Sequence, residues 1–458
     1  MKLVYDVQDK PKFSQLIVFA IQQLLAIMAA TLVVPVIVGN GMSSAAALFG
    51  AGVGTLVYIL FTKRRSPVFL GSSFAFIGSM TAAFAGGVSA ALGYLGIIIG
   101  AVFAGLVYVV ISIIIKFAGV KWISKLMPSV VIGPVVAIIG LSLSGNAIGD
   151  LQKVNYTVNG QAPGSPYVAI IVGLITLAVT MIASVYGKKM MKLIPFIIGI
   201  LAGYAAASIF YIIGVLTGNE ALMIIDYSPI VNIFSDISVS SFVCVPDFTF
   251  ITAMGGFEEL SASYIASIAM AYIPVAFVVF AEHIADHKNL STVINHDLLE
   301  DPGLSRTLLG DGVGSMVGAI FGGCPNTTYG ESVGCVAITK NASVYTIIAA
   351  AVGAIIISFV TPFVAFVNSI PSCVMGGICM ALYGFIAVSG LKMLKNVNLD
   401  ENKNLFVASV ILISGIGGLT LSFDIGGGTI TITAIACALI LGILTNLLLS
   451  KAKSDTEE

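Results

Sequence analysis

Four acidic residues stand where an apolar chain should carry none. Glu282, Asp286, Asp311 and Glu331 fall inside hydrophobic stretches, whereas most other acids lie in polar breaks or at the ends. An ionised carboxylate near the centre of a bilayer is costly, so such residues are functional, protonated or paired. Glu282 and Asp286 lie in Phe280-Ala281-Glu282-His283-Ile284-Ala285-Asp286-His287. On a helix they are about 40° and about 6 Å apart and share one face. Two like charges so placed favour holding at least one proton between them, which is what a proton-coupled carrier needs. Asp286 either takes part in that exchange or caps its network. His283 and His287 are each placed to hydrogen-bond an acid; a metal site would need convergent ligands that the sequence does not show. Asp311, between Gly310 and Gly312, reads as a structural or gating residue.

Glu331 sits in a second unusual segment, Gly322-Gly323-Cys324-Pro325-Asn326-Thr327-Thr328-Tyr329-Gly330-Glu331. A similar one precedes it: Pro67-Val68-Phe69-Leu70-Gly71-Ser72-Ser73-Phe74-Ala75-Phe76-Ile77. Both place Pro, Gly and Ser or Thr first and a short apolar stretch after, which does not suit a continuous helix. Within hydrocarbon such backbone is tolerated only when buried in protein or lining a cavity. The expected structure is an extended segment followed by a half-helix, whose free N–H groups and positive dipole end face the membrane centre. Paired interruptions in two halves of a chain point to a transporter binding site. Phe74 and Phe76 either pack, as most membrane aromatics do, or lie against a flat ligand.

These residues need a membrane to hold them, and the composition supplies it. Of 458 residues, 58% are hydrophobic and 9% charged, with a mean hydropathy of +1.06. Soluble domains have roughly 45–50% and about 25%, so a soluble globular protein is excluded. The net charge of −1 gives no nucleic-acid signal. Cys244, Cys324, Cys335, Cys373, Cys379 and Cys437 are scattered and read as small packing residues. The first apolar run, from about Gln15 to Val38, is too long for a cleavable signal.

Apolar runs fall at 15–38, 44–62, 67–85, 91–115, 127–148, 166–186, 193–216, 264–287, 306–323, 324–340, 343–368, 372–394, 404–422 and 429–449. With the N-terminus in the cytoplasm, fourteen crossings put every Lys and Arg inside except Lys153, 20 of 21. The longest outside stretch, 217–263, holds acids and no cation. Pro128-Ser129-Val130-Val131-Ile132-Gly133 recurs as Pro371-Ser372-Cys373-Val374-Met375-Gly376. The copies open the fifth and twelfth spans. Seven spans apart, they run in opposite directions, the signature of an inverted repeat. The expected fold is an all-α polytopic membrane protein of two inverted seven-span repeats, with extended segments and half-helices in spans 3 and 10.

Gly71-Ser72-Ser73-Phe74-Ala75-Phe76, Ala281-Glu282-His283 and Pro325-Asn326-Thr327-Thr328-Tyr329-Gly330-Glu331 resemble the nucleobase–ascorbate transporter family, most closely its uracil-permease branch of uracil–proton symporters. The resemblance runs from Gln22-Gln23 in the first span to Tyr383-Gly384 in the twelfth. It implies a core domain (1–126 and 264–368, holding spans 1–4 and 8–11) and a gate domain (127–216 and 369–449, holding spans 5–7 and 12–14). Residues 217–263 would form an extracellular loop and 450–458 a cytoplasmic tail. It also implies a homodimer, an elevator motion of core against gate, and a plasma-membrane location with both termini cytoplasmic.

Carried over by motif, Glu282 and Glu331 would receive the ring N–H groups of uracil. Backbone groups at Phe74, Tyr329 and Gly330 would meet its carbonyls. The Phe74 ring, Ala30 and Tyr383 would complete the base pocket. Protons would be exchanged among Glu282, Asp286 and Glu331, with no cofactor besides the proton and no metal. Two departures stand out. Asp286 occupies the position of a His in the best-known uracil symporter pattern, which implies a carboxylate–carboxylate relay. Ser332 replaces the Asn of the usual signature, so the hydrogen bond beside the site is expected to be lost or shortened.

The chemistry of uracil agrees: it is flat and neutral, with two N–H donors and two carbonyl acceptors. Being neutral it feels no membrane potential, and one co-transported proton adds about 2.3 kcal/mol per 100 mV. A purine permease for xanthine or urate shares the expected fold, but that branch tends to carry Gln where Glu331 stands. A sulfate-type anion transporter is disfavoured by two carboxylates and the lack of a mid-membrane Lys or Arg. An enzyme has no support: Gly310-Asp311-Gly312-Val313-Gly314 is a weak nucleotide-loop match inside a helical run.

Overall fold

A computed structural model describes residues 3–119, 122, 126–157, 162–188, 190–425 and 428–451. Lys2, Lys121, Lys125, Lys189 and Lys453 of the charge pattern, and residues 452–458 of the tail, lie outside the described residues. Helices dominate, and among the described residues eight are long and apolar enough to cross a membrane, the two consecutive helices of Ser129–Leu151 counting as one. Large apolar side chains on their outer faces, among them Leu60, Phe117 and Leu216, are exposed. That is the surface expected where lipid is the solvent.

The first part of the chain contains α1 (Phe13–Val38), α2 (Ser44–Phe61), β1 (Leu70–Ser72), the half-helix α3 (Ile77–Ala83) and α4 (Ala90–Ala118). Next come α5 (Ser129–Ser142), α6 (Ser144–Leu151), α7 (Pro166–Tyr186) and α8 (Pro195–Thr217). After a stretch of short helices follow α9 (Ala262–Ile294), α10 (Leu304–Gly322), β2 (Asn326–Thr328) and the half-helix α11 (Gly330–Thr339). The chain continues through α12 (Val344–Ile357), α13 (Thr361–Asn368), α14 (Ser372–Met393) and α15 (Asn402–Ile416). It ends in a hairpin, β3 (Leu421–Ile425) with β4 (Gly428–Ile432), and α16 (Ala434–Leu448).

Both broken segments have the expected form, an extended piece followed by a half-helix. They also pair with each other. β1 and β2 are antiparallel, with Leu70 opposite Thr328, Gly71 opposite Thr327 and Ser72 opposite Asn326; the Ser73 amide adds a 2.9 Å bond to the Pro325 carbonyl. Two interrupted segments thus satisfy one another's backbone inside the protein, as an apolar solvent demands.

Small residues let helices close around that ribbon. α2 and α10 cross so tightly that a methyl at Gly50 would strike the Gly318 carbonyl, and one at Gly54 would strike Asn326 and the Gly314 carbonyl. Such small-residue faces are the usual means of close approach between helices in lipid. Asn326, buried beside this crossing, donates 3.1 Å to the Gly50 carbonyl. The Thr55 hydroxyl accepts from the Leu70 amide at 2.9 Å. Gly310-Asp311-Gly312-Val313-Gly314 is part of helix α10, so its glycines serve packing.

The two copies of the repeated hexapeptide each begin a helix after a proline, Pro128 for α5 and Pro371 for α14. These helices pack antiparallel: Gly133 meets the Gly390 carbonyl, Gly140 meets that of Tyr383, and Gly376 meets Ala147 of α6.

Three differences from the sequence reading have physical causes. The run 343–368 is two helices, because Pro362 restarts the helix at its first turn. The run 404–422 ends in β3 and the run 429–449 begins in β4, so the protein is mostly helical rather than all-α. The alternation Thr429-Ile430-Thr431-Ile432 suits a strand at least as well as a helix end. The α9 helix extends to Ile294, seven residues past the expected end of its span.

Gly54→Leu should destabilise the α2–α10 crossing by about 1–3 kcal/mol, read as a lower thermal midpoint of detergent-purified protein. Gly145→Ala, whose added carbon enters open space within α6, should not lower that midpoint and should raise it slightly.

Candidate functional site

The broken segments deliver their half-helices to one cavity of about 410 Å³, within the usual range of about 300–1,000 Å³ for small-molecule sites. From α9 come Glu282, Ala285, Asp286 and Asn289; from the β2–α11 segment come Thr327, Tyr329, Gly330 and Glu331; before α3 lie Phe74 and Ala75. The facing wall is largely apolar: Val136 and Ile139 of α5, Phe196 of α8, and Leu382, Phe385 and Ile386 of α14. Polar groups on one side thus oppose a hydrophobic face on the other.

Glu282 and Glu331 line the cavity, and neither makes a side-chain hydrogen bond to another residue among the described residues. Glu331 is in the first turn of α11, whose N-cap is Tyr329. The first amides of that helix have no partner in the preceding turn, and an acceptor or negative charge is favoured there. Tyr329 holds this end in place. Its hydroxyl donates to the Ser72 carbonyl at 2.7 Å, and its ring lies so close to Gly71 that any side chain there would collide with it.

Asp286 is 8% exposed, and its Oδ2 accepts a 2.8 Å bond from the Thr328 hydroxyl. Gly330 packs against it, since a methyl there would sit 3.7 Å from Asp286 Oδ1. Asp286 is therefore joined to the strand that leads into Glu331.

Asp311 lies outside the cavity lining. It is fully buried and 2.8 Å from His283 Nδ1, while His283 Nε2 meets the Thr307 hydroxyl at 3.0 Å. His287 does not bond an acid. Its Nδ1 donates to the His283 carbonyl at 2.8 Å and its Nε2 meets the Tyr58 hydroxyl at 2.7 Å. The two imidazoles stack with centroids 4.0 Å apart. Together they fasten α9 to α10 and α2 behind the cavity. Among the described residues no cluster of His, Cys, Asp or Glu is arranged to hold a metal, and all six cysteines are free.

Phe74 lines the cavity, edge-on to Tyr383 at 6.2 Å. Phe76 is buried and stacks on Tyr272 at 5.5 Å, so it packs. Tyr383 and Ala30 stand one layer back: Tyr383 is 3% exposed behind Phe74, and Ala30 is 1% exposed in the apolar cluster that contains Tyr329. Ser332, far from losing its contact, accepts from the Phe69 amide at 3.0 Å and from the Gln23 side chain. A hydroxyl suffices there because the neighbouring backbone comes close.

Several lining residues escaped the sequence reading. Asn289 follows Glu282 by seven positions and so shares its helix face, a signal that was present. Thr327 is buried in the lining with a hydroxyl that has no hydrogen-bond partner among the described residues. The apolar wall from α5, α8 and α14 carries no chemical motif and appears only once the chain is folded. Lys192, exposed, stands at the mouth beside Ser184, Asn289 and Ser389.

Comparisons with known proteins agree with this architecture. The uracil permease of Bacillus caldolyticus is 40% identical over 98% of this chain and 95% of its own length. That of Bacillus subtilis (strain 168) is 38% identical over 100% and 98%. The transmembrane domain of the cyanobacterial bicarbonate transporter BicA has a similar fold, with a TM-score of 0.63 at 14% identity, covering 97% of this chain and 99% of that one. The sequence model of the permease family that contains the nucleobase–ascorbate transporters matches residues 14–423. The chain therefore belongs to that family of transporters and is a multi-pass membrane protein, not an enzyme.

Proposed function

We propose that this protein imports uracil together with protons. The observation that carries the reading is the convergence on one cavity of Glu282 and Glu331, whose side chains bond no other residue among the described residues; Phe74 and the start of α11 wall that cavity. Whole-chain identity of 38–40% to two uracil permeases supports the choice of base.

In this reading the two carboxylates accept from the ring N–H groups, and backbone groups at Phe74, Tyr329 and Gly330 meet the carbonyls. The Phe74 ring covers one face of the base. Leaving a polar partner unmatched is costly in a buried site, so a base with a different donor pattern is rejected. Asp286 exchanges the coupling proton with Glu282 or Glu331. Its bond to Thr328 transmits a change in charge to β2, and so to the segment bearing Glu331. An uncharged substrate plus a proton moves one positive charge inward, which lets the membrane potential drive uptake.

The proposed topology is fourteen spans in two inverted seven-span repeats, with both termini cytoplasmic in the plasma membrane. The antiparallel packing of α5 on α14 and of β1 on β2 supports it. Residues 1–126 and 264–368 would form the moving core, residues 127–216 and 369–449 the gate and its homodimer contact, and 217–263 the extracellular loop. In this topology the exposed Lys192, Asn289 and Ser389 at the cavity would face the cation-rich side, which would make this an inward-facing state. Purine and sulfate-type readings gain nothing from the site: Glu331 is a carboxylate, and among the described residues Lys192, exposed, is the only cation in the lining.

Proteoliposomes with an imposed inward proton gradient should accumulate labelled uracil, and a protonophore should abolish accumulation. Excess xanthine or sulfate should not compete; xanthine uptake without uracil uptake would replace the substrate. Glu282→Gln and Glu331→Gln should each lower uracil uptake by about 100-fold or more, the scale of a lost hydrogen bond to a charged group, about 1.5–3 kcal/mol, plus lost coupling. Near-normal uptake in both would remove the site. Asp286→Asn should flatten the dependence of uptake on the proton gradient while changing equilibrium uracil binding by less than about threefold. An unchanged gradient dependence would make Asp286 structural.

A further inference from the structure

The first residues of the chain are tied to both ends of the site's supporting frame. Residues Val4 to Asp9 run beside the segment leaving α11, with a parallel bridge between Tyr5 and Asn341. The Val4 amide donates to the Lys340 carbonyl at 2.8 Å, and the Ala342 and Val344 amides donate to the carbonyls of Tyr5 and Val7 at 2.9 and 3.0 Å. The Ser343 hydroxyl donates to the Asp9 carbonyl at 2.6 Å. On the other side, the Gln8 side-chain amide donates to the Arg64 carbonyl at 2.6 Å. Val7 is buried in the apolar cluster that contains Tyr329, Val333 and Val336.

The two carbonyls held at these ends have something in common. Lys340 closes α11 with φ +56°, and Arg64 closes the turn after α2 with φ +59°. A side chain disfavours this left-handed conformation, which glycine adopts readily. Neither position is glycine, so neighbouring contacts must hold the conformation, and these residues supply a hydrogen bond to each. One of the two turns leads into β1; the other follows the half-helix α11, whose first turn bears Glu331.

We propose that residues Val4–Asp9 form a positioning strap that fixes the far ends of the two broken segments and thereby sets the position of Glu331 at the other end of α11. The strap acts through α11 and not by touching the substrate. Its effect on transport rests on the uracil–proton reading above; its effect on α11 does not.

The test is a variant lacking residues 2–9, compared with the full chain in the same detergent or lipid. Hydrogen exchange of α11 amides should speed up by about tenfold or more, as expected when a local unit loses its stabilising contacts. Equilibrium affinity for uracil should fall by about fivefold, while exchange in α7 and α8 stays unchanged. A peptide of residues 1–12 added in trans should restore both readouts in part. Lys340→Gly, which removes the left-handed penalty, should restore part of the affinity in the truncated chain and change little in the full one. Unchanged exchange in α11 after truncation would overturn the proposal. So would faster exchange spread evenly over all helices, which would mark a general loss of stability. If the truncated chain does not accumulate, Gln8→Ala and Val7→Asp in the full chain must show the same local pattern, or the proposal fails. Slower exchange in α11 held by the strap, without any uracil binding in the full chain, would uphold the strap and remove the transport reading.

Discussion

Two strands of three residues each are the element on which the rest of this protein depends. A backbone that leaves the helix inside hydrocarbon exposes donors and acceptors with no water to satisfy them. Here two such stretches meet in an antiparallel pair and satisfy one another. That pairing allows both chains to break in the interior, and each break leaves the start of a helical turn or half-helix beside a common cavity. Without it, neither Glu331 nor Phe74 would have a defined place.

The surrounding structure is arranged to keep that pair intact. Glycines on α2 and α10 bring the two helices close enough for Asn326 to reach the Gly50 carbonyl. Thr55 and Ser332 accept from the amides of Leu70 and Phe69 at the entrance to β1. Tyr329 closes over Gly71 and bonds Ser72, so one residue links the end of β2, the start of α11 and the end of β1. The His283–Asp311 and His287–Tyr58 contacts hold α9 against the same frame from behind. The carboxylates of α9 and α11 are thereby set opposite an apolar wall contributed by other helices. In the proposed elevator motion, a polar, rigid side facing a smooth apolar one would suit the sliding of core against gate, since an apolar face has few bonds to break.

The polar residues divide into two groups that chemistry alone would not separate. Asp286, His283, His287 and Asp311 are all bonded to protein, and they join elements together. Glu282, Glu331 and the Thr327 hydroxyl line the cavity, and among the described residues none of them bonds the side chain or backbone of another residue. In the proposed mechanism, Glu282 and Glu331 meet the substrate, Asp286 carries the consequences of a proton through Thr328, and the histidines with Asp311 hold the frame that responds.

Much of this was legible in the linear chain, and the reasons are specific. Composition alone demanded a membrane, because so few charges and so many apolar residues cannot make a soluble surface. Local covalent rules marked the two breaks: Pro325, Gly71 and the adjoining Ser and Thr residues cannot continue a helix, and only a protein interior tolerates them in lipid. Helical spacing alone put Glu282 and Asp286 on one face. What the sequence could not decide depends on contacts between residues far apart in it. The pairing of β1 with β2 joins residues some 250 positions apart. Tyr383 and Ala30 fall behind the lining, His287 turns to Tyr58 and not to an acid, and the apolar wall of α5, α8 and α14 faces the carboxylates. Each follows from how helices cross, and crossing is set by the summed fit of many small side chains, which no single motif records.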